Sequence, residues 1–466
     1  MSLNFSGIKN GLQSLLTLQK STPNQKSAQS WESVQSRETL DSKTGPNAKI
    51  YHYLREDANQ KSRIHLRVDA DGHGTLIVNA NNIMHLNPTA ALMAYLILEE
   101  VEEKQALKTI QKQYRVSEKQ ARKDLSEFRI QISELIDGAC PIHELDLDTL
   151  MPFSARPSAP YRMDLAVTYR CNNDCSHCYN ARERNFPELD TANWKLVIDK
   201  LWELGVPHII FTGGEATLRN DLPELIHHAE SNGQITGLNT NARRLSDMRY
   251  VEQLVAAGLD HVQITVESCD EQIHDEMMRS KGAFKQTIQG LQNALASKLY
   301  VMTNTTMLQT NVQKIPATLD FLADVGVPTI GLNALIYSGN GRTVGTGLRE
   351  SDLQPILDVA VKKTAARGQK LIWYTPTQYC KFDPTQSNLG VKGCTAALYS
   401  MCIESNGDVL PCQSYYTPLG NFLRDDWDSI WNHKLAAQLR ERQNLPFQCE
   451  TCSLVAECGG GCPLTF

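Results

Sequence analysis

The spacing of apolar positions changes several times along the chain, and each change marks a segment. Residues 1–45 carry few apolar anchors among Ser, Gln, Lys and Asn, a composition expected to stay disordered. "SRIHLRVDADGHGTLIVNA" then alternates apolar with polar positions on both sides of "DADGHG", which predicts two strands joined by a Gly-rich turn. A helical run follows, "AALMAYLILEEVEEKQALKTIQKQY". A further helix opens at a capping box of Ser117 and Gln120 and lines up Ala121, Leu125, Phe128, Ile132 and Leu135 on one face. Strands followed by two or three helices predict a winged-helix α+β domain over residues 46–139. Residues 140–160 are Pro-punctuated and aperiodic, hence a linker.

Beyond the linker a weak repeat sets in. "ELGVPHIIFTGG", "SNGQITGLNTN", "AAGLDHVQITVES" and "DVGVPTIGLNAL" each place a Gly between an amphipathic helix and a short β-rich run. In one such helix Asp190 caps the start, Trp194, Val197 and Leu201 share a face, and Gly205 ends it. With "YRMDLAVTY" and "KLYVMTNTTML" this predicts six βα units over residues 161–345, a parallel sheet curled into a barrel or open barrel. Functional residues are then expected at the C-terminal ends of its strands.

Composition narrows the chemistry. The 466 residues are 41% hydrophobic and 21% charged, as in ordinary globular domains. A net charge of -6 gives no electrostatic footprint for nucleic acid or anionic membrane, and neither is expected as a partner. No apolar run reaches the ~18 residues of a spanning helix, and a cytoplasmic location is expected. In a reducing compartment, 13 cysteines gathered mainly in two places read as metal or redox chemistry rather than disulfides.

The first gathering is Cys171, Cys175 and Cys178 in "YRCNNDCSHCYN", directly after the first barrel strand. Three thiolates suit a four-iron cluster and leave one iron open to a small chelating molecule; a zinc knot is the competing reading. C-x3-C-x2-C followed by an aromatic, Tyr179, resembles the signature of the radical S-adenosylmethionine (SAM) enzymes. The resemblance implies a partial (β/α)6 barrel of the TIM type and a cluster whose open iron binds SAM. An electron from that cluster cleaves SAM to a 5'-deoxyadenosyl radical, which takes hydrogen from a substrate. It also implies roles downstream: Gly213, Gly214 and Glu215 of "FTGGEAT" toward the SAM amino group, Asn239 and Asn241 of "LNTNA", Thr265 and Glu267 of "QITVES", and Arg279 toward the SAM carboxylate. Ala216 stands where relatives often have Pro, and Ala242 where they have Gly. Cys269, beside Glu267, is a candidate hydrogen-atom donor, and Cys140 is expected to be a buried inert thiol.

The second gathering has the spacing C-x12-G-x4-C, a gap, then C-x2-C-x5-C-x3-C, which resembles the SPASM extension with its two auxiliary 4Fe-4S clusters. The resemblance implies Cys394, Cys402, Cys412 and Cys462 as ligands of one cluster and Cys449, Cys452 and Cys458 as three ligands of the other. SPASM proteins supply one more Cys after the last spacing, and this sequence stops at Phe466. Cys380, a group other than Cys, an open iron, or a truncated sequence all account for that, and a zinc ribbon is the alternative for the tail. "GNGR" at Gly339–Arg342 resembles the family's turn into the extension, residues 346–466 are expected to hold a bridging region and the SPASM domain, and Trp373, Tyr374 and Tyr379 are expected to pack the bridge between barrel and extension.

Leu86, Asn87, Thr89 and Ala90 in "HLNPTAALMAYLIL", with "VSEKQARKDLSEF", resemble the PqqD-like peptide-recognition domain, which holds a leader segment as an added strand. A structural or DNA-binding winged helix is the alternative. Together the resemblances imply a radical SAM/SPASM oxidoreductase that modifies a ribosomally made precursor peptide by cross-linking, epimerisation or oxidation. They imply SAM and three 4Fe-4S clusters as cofactors, with a flavodoxin or ferredoxin as electron donor. Oxidative tailoring of a tetrapyrrole or other small cofactor, and an iron-sulfur sensor, are the competing functions.

Overall fold

The computed structural model describes residues 32–33, 49–56, 61–79, 82–137, 157–443 and 445–465. Most of the expected arm and linker, with Cys140, lie outside the described residues. The N-terminal domain is an antiparallel sheet of β1 (Glu32–Ser33), β2 (Lys49–Glu56), β3 (Lys61–Val68), β4 (Gly74–Val78) and β5 (Asn82–Leu86), in chain order. Against it pack α1 (Pro88–Leu98), α2 (Glu103–Gln113) and α3 (Glu118–Asp137). Glu32 and Ser33 fall in the arm expected to be disordered, yet they pair with Leu54 and Tyr53 as an edge strand.

The run expected as one helix is two. Glu100 turns left-handed at φ 51°, and Val101 N–H closes back on Leu96 O at 3.0 Å, which ends α1. Asn87 Oδ1 caps the start of α1 through Ala90 N–H at 2.9 Å, and Pro88 suits its first turn. Half of the capping box on α3 forms: Ser117 Oγ accepts from Gln120 N–H at 3.2 Å, while the Gln120 side chain turns to Asp124. Ala121, Leu125, Phe128, Ile132 and Leu135 are buried, as their spacing predicts.

Alternation along β3 puts Ile64, Leu66 and Val68 into this domain's core. The polar face is buried as well, with Arg63, His65 and Arg67 at 3%, 0% and 2% exposure, because it lies on the second domain. Arg63 pairs with Glu230 and Asp260, His65 Nε2–H donates to Gly233 O at 2.8 Å, and Arg67 Nη1 donates to Ala159 O at 2.9 Å.

The second domain is built on a sheet of ten strands. Its parallel core is β6 (Arg162–Thr168), β7 (His208–Gly213), β8 (Ile235–Thr240), β9 (His261–Thr265), β10 (Tyr300–Thr306), β11 (Thr329–Asn333) and β12 (Lys370–Trp373), each beside the next. Outer helices α4 (Thr191–Glu203), α5 (Leu222–Asn232), α6 (Met248–Ala256), α7 (Glu271–Met278), α8 (Ala283–Leu295), α9 (Ile315–Val325) and α10 (Leu353–Ala366) connect them. Trp194, Val197 and Leu201 on α4 are fully buried, and Gly233 and Gly326 cap α5 and α9 at φ 93° and 94°. Six strands come from the predicted repeat. The sheet runs further, because β12 pairs with β11, and β13 (Ser400–Ile403) lies parallel against β6, followed by β14 (Asp408–Leu410) and β15 (Gly420–Asn421). The cysteine-rich extension is therefore stitched into the barrel sheet.

Val262, Ile264 and Val301 face the helices, so the alternate residues face the lumen. Register places Asn239 beside Gln263 and Met302, Thr265 beside Asn304, and Thr306 beside Asn333. Asn333 Nδ2 donates to Asn304 Oδ1 at 3.0 Å, so the lumen is lined mostly by amides and hydroxyls.

Candidate functional site

The loop after β6 carries Cys171, Cys175 and Cys178. Register shifts between Ala166 and Thr168, a bulge that re-aims the end of β6 just before the loop. Gly213 and Gly214, at the end of β7, press against it. A Cβ on Gly213 would stand 2.0 Å from Thr168 O, and one on Gly214 2.4 Å from Arg170 O. Only glycine permits this approach, and it lets Gly214 N–H and Glu215 N–H donate to Thr168 O and Arg170 O at 2.7 and 2.8 Å. Asn180 Nδ2 donates to Gly213 O at 2.6 Å.

From the far side the turn at Gly339–Arg342 closes on the same loop. Asn340 N–H and Nδ2 donate to Cys178 O and Cys175 O at 2.9 and 3.0 Å, and a Cβ on Gly339 would meet Cys178 O at 2.5 Å. Arg243 adds donors to Asn172 O, to Asn173 Oδ1 at 2.7 Å and to Ser280 Oγ at 2.9 Å. The loop is thus held by three separate segments.

The residues expected beside it arrive in different ways. Glu215, 1% exposed, accepts from Thr217 N–H, Thr217 Oγ1 and Thr240 Oγ1 on one oxygen and from Asn241 N–H on the other. Burial pushes its pKa up and these donors pull it back. The carboxylate ties the ends of β7 and β8 together. Asn241 Nδ2 donates to Asn172 Oδ1 at 2.7 Å, within the cysteine loop. Glu267, fully buried, takes His177 Nε2 at 2.9 Å and Thr306 N–H at 2.7 Å. Asn239 and Thr265 line the lumen, and the Tyr179 hydroxyl donates to Gln413 Oε1 at 3.2 Å. Arg279 takes a left-handed φ of 46° at the end of α7 and, with Cys171, Asn172, Asn173, Asp174 and Arg184, lines a cleft of about 300 Å³. Cys269 lies beyond β9, where its N–H donates to Thr318 Oγ1 on α9.

Sequence reasoning passed over His177, Arg243 and Gln413, and singled out Asn340 only within the Gly339–Arg342 turn. His177 had a signal, being a titratable residue inside C-x2-C. The others are distant in sequence and met only through the fold.

The three thiols fit an iron-sulfur cluster. Burial first, then the charges of the other two cysteines and of Glu267, pushes Cys175 well above the usual thiol range, and burial lifts Cys178 to about 11. Thiolates here therefore need positive charge beside them, which an iron core supplies. Asn173 Nδ2, His177 Nδ1 and Asn180 Oδ1 are buried around the loop without a protein partner, as expected of groups that meet a bound molecule. Among the described residues no three His, Cys, Asp or Glu side chains are close enough to hold a single ion.

In the extension, Cys394, Cys412 and Cys462 are mutual neighbours. Burial and then the nearby Cys394 raise Cys412 and Cys462 each to about 12, and Cys402 lies next to Cys412 in a seam with Ala166, Tyr169 and Leu410. Backbone N–H groups of Ala396, Ser414 and Leu464 partly offset burial at Cys394, Cys412 and Cys462 and favour their thiolates. Arg182 joins this half to the first: it bonds both Glu404 oxygens, at 2.8 and 3.0 Å, and lies 4.1 Å over the Tyr416 ring, whose hydroxyl donates to Tyr179 O.

Residues 165–333 match the Radical SAM superfamily, and residues 394–453 match SPASM, an iron-sulfur cluster-binding domain. The PqqA peptide cyclase of Xanthomonas campestris pv. campestris is 30% identical over 316 residues, which are 65% of this chain and 82% of that protein. The chain belongs to the radical SAM superfamily. Fe-coproporphyrin III synthase of Methanosarcina barkeri is 34% identical over 207 residues, 44% of this chain and 51% of that protein, so the match spans about half of that relative's length. Among solved structures, Streptococcus suis SuiB bound to its precursor peptide SuiA has a TM-score of 0.63 at 18% identity, over 86% of this chain and 94% of that one. That share exceeds what residues 161–466 supply, so the likeness of fold extends into the N-terminal domain. The radical SAM core and the SPASM extension make this chain an enzyme of the superfamily.

Proposed function

We propose that this radical SAM enzyme modifies a ribosomally made precursor peptide. The reading is carried by the N-terminal domain, which is fused to the barrel and clamped to it by the buried side chains of β3. Its sheet ends at β5, which among the described residues pairs only with β4 and leaves an edge where an extended leader can add as a strand. The PqqD-like resemblance agrees with this use, and Asn87 of that motif caps α1. Relatives bearing the name PqqA peptide cyclase, and the fold likeness to SuiB with SuiA, support a peptide substrate.

Cys171, Cys175 and Cys178 would hold the first cluster, Cys394, Cys402, Cys412 and Cys462 the second, and Cys449, Cys452 and Cys458 three irons of a third. Bound there, the first cluster supplies the electron that cleaves SAM and so generates the hydrogen-abstracting radical. The chain's part is to fix the cysteine loop through Gly213, Gly214, Asn340 and Arg243, to hold Asn241 beside Asn172, and to offer SAM the lumen amides together with Arg279. The Fe-coproporphyrin III synthase match favours a small tetrapyrrole instead, but it covers only 207 residues.

The test is anaerobic reconstitution followed by reduction with SAM, with deuterium-labelled peptides from short reading frames beside the gene. Deuterium in 5'-deoxyadenosine together with a mass change in the peptide supports the reading. Transfer only from a coproporphyrin replaces it with the small-molecule function. Changing Cys171, Cys175 and Cys178 together to Ala should remove about four irons and all 5'-deoxyadenosine; product surviving that change sinks the radical SAM assignment.

A further inference from the structure

A fourth cysteine stands beside the C-x2-C-x5-C group. The turn after β12 is seated on the end of the extension: Tyr379 N–H donates to Cys458 Sγ at 3.3 Å, and Cys458 Sγ lies 3.5 Å from Thr377 O. A Cβ on Gly461 would come within 3.1 Å of Gln378 Cγ, so the two segments leave no room between them. Cys380 follows Tyr379 directly and is an exposed residue. Gln378 Oε1, buried in the same turn, has no protein partner. Cys394, Cys402, Cys412 and Cys462 already supply four thiols to the other cluster, so Cys380 is not needed there.

We propose that Cys380, from the turn after β12, is the fourth thiolate of the cluster held by Cys449, Cys452 and Cys458. The proposal rests on the extension carrying iron-sulfur clusters. Three thiolates on a four-iron cluster leave one iron open, and a fourth closes it, so this cluster has no vacant position for substrate and serves electron transfer. The ligand comes from the turn after β12, so one centre ties that strand to the C-x2-C-x5-C group of the extension.

The protein, reconstituted anaerobically, decides this. Iron, sulfide and zinc are counted and Mössbauer spectra recorded for wild type, Cys380→Ala, the pair Cys449→Ala with Cys452→Ala, and all three changes together. About twelve irons are expected in wild type and about eight in the pair. Cys380→Ala alone should lose about one iron and show a three-iron cluster. Added to the pair, it should change nothing further. Iodoacetamide gives a readout independent of folding: Cys380 should react readily before reconstitution and be protected after it. Unchanged spectra in Cys380→Ala, or a further loss of about four irons in the triple variant, would overturn the assignment. Zinc in place of iron at Cys449, Cys452 and Cys458 in wild type would instead remove the cluster reading on which it rests.

Discussion

His177 and Glu267 form a buried pair that joins the cysteine loop to the end of β9, with Nε2 2.9 Å from Oε1. His177 lies between Cys175 and Cys178, so whatever fixes its ring also fixes the loop that carries the thiols. Glu267 has no exposed surface, and its other oxygen accepts Thr306 N–H at 2.7 Å. Glu267→Ala would strand both donors away from water. Leaving a buried donor without its acceptor costs about 1–3 kcal/mol, whereas Glu267→Gln keeps an acceptor and should cost less than half as much as the Ala change. Denaturant unfolding checks the ranking. Iron in the first cluster should fall in the Ala variant and hold in the Gln variant.

Gly213 is expected to tolerate no side chain. Its φ of 132° is outside the range of ordinary residues, and a Cβ there would overlap Thr168 O at 2.0 Å. Since Thr168 leads into the cysteine loop, Gly213→Ala should displace that loop and abolish 5'-deoxyadenosine formation. Gly345→Ala is the control, with φ 74° but nothing within 4 Å of the added carbon. It should cost only about 1 kcal/mol of backbone strain and leave cleavage of SAM within twofold of wild type. Equal loss in both variants would mean that positive φ, not contact with the loop, sets the requirement.

The contrast between these sites bears on what a sequence discloses. Helix faces such as Trp194, Val197 and Leu201, and the Gly that ends α4, α5 and α9, were legible because local periodicity and backbone conformation are written in neighbouring residues. The cysteine spacings were legible because ligands to one cluster crowd into short loops. The polar face of β3 was misleading in principle: Arg63, His65 and Arg67 look like solvent positions, and only the docking of two domains buries them. The strands β12 and β13, at four residues each, are too short to show a period, and their places in the sheet depend on distant partners. Glu215 and Glu267 were found through motif order, but their hydrogen-bond partners belong to other loops and could be named only from the fold.

Arg63 tests the clamp between the domains. It bonds Asp260 Oδ1 at 3.0 Å and reaches Glu230 with its side chain 4% exposed, so it anchors the N-terminal domain on both α5 and the loop before β9. Arg63→Ala removes the cation from two partly exposed carboxylates, 27% and 19% exposed, and should lower stability by about 1–3 kcal/mol. Because Arg63 is far from the cysteine loop along the barrel, cleavage of SAM without peptide should continue. Turnover of a leader-bearing peptide should drop at least tenfold, mostly through KM. Loss of both activities together would show that the N-terminal domain is needed for the barrel to hold its shape.

The same interface is expected to weaken in acid. Burial lowers His65 to about 4 from an ordinary value of 6.5, although the Gly233 carbonyl it donates to and the nearby Asp260 oppose this; Arg63 adds to the lowering, and the His52 ring stacks on it at 4.7 Å. A histidine lowered by folding is neutral in both states above 6.5 and costs nothing there. As pH falls from 6.5 toward 4 the unfolded chain gains a proton that the folded one refuses, so stability is lost through that window at up to about 1.4 kcal/mol per pH unit. Buried carboxylates raised by folding, such as Asp164 and Glu215, act in the opposite direction. The informative quantity is therefore the difference between wild type and His65→Gln, whose amide can still donate to Gly233 O. Unfolding free energies measured at pH 7.5 and pH 5 should fall less in the variant, by about 1–2 kcal/mol. Equal falls in the two proteins would mean that His65 takes its proton without leaving the interface.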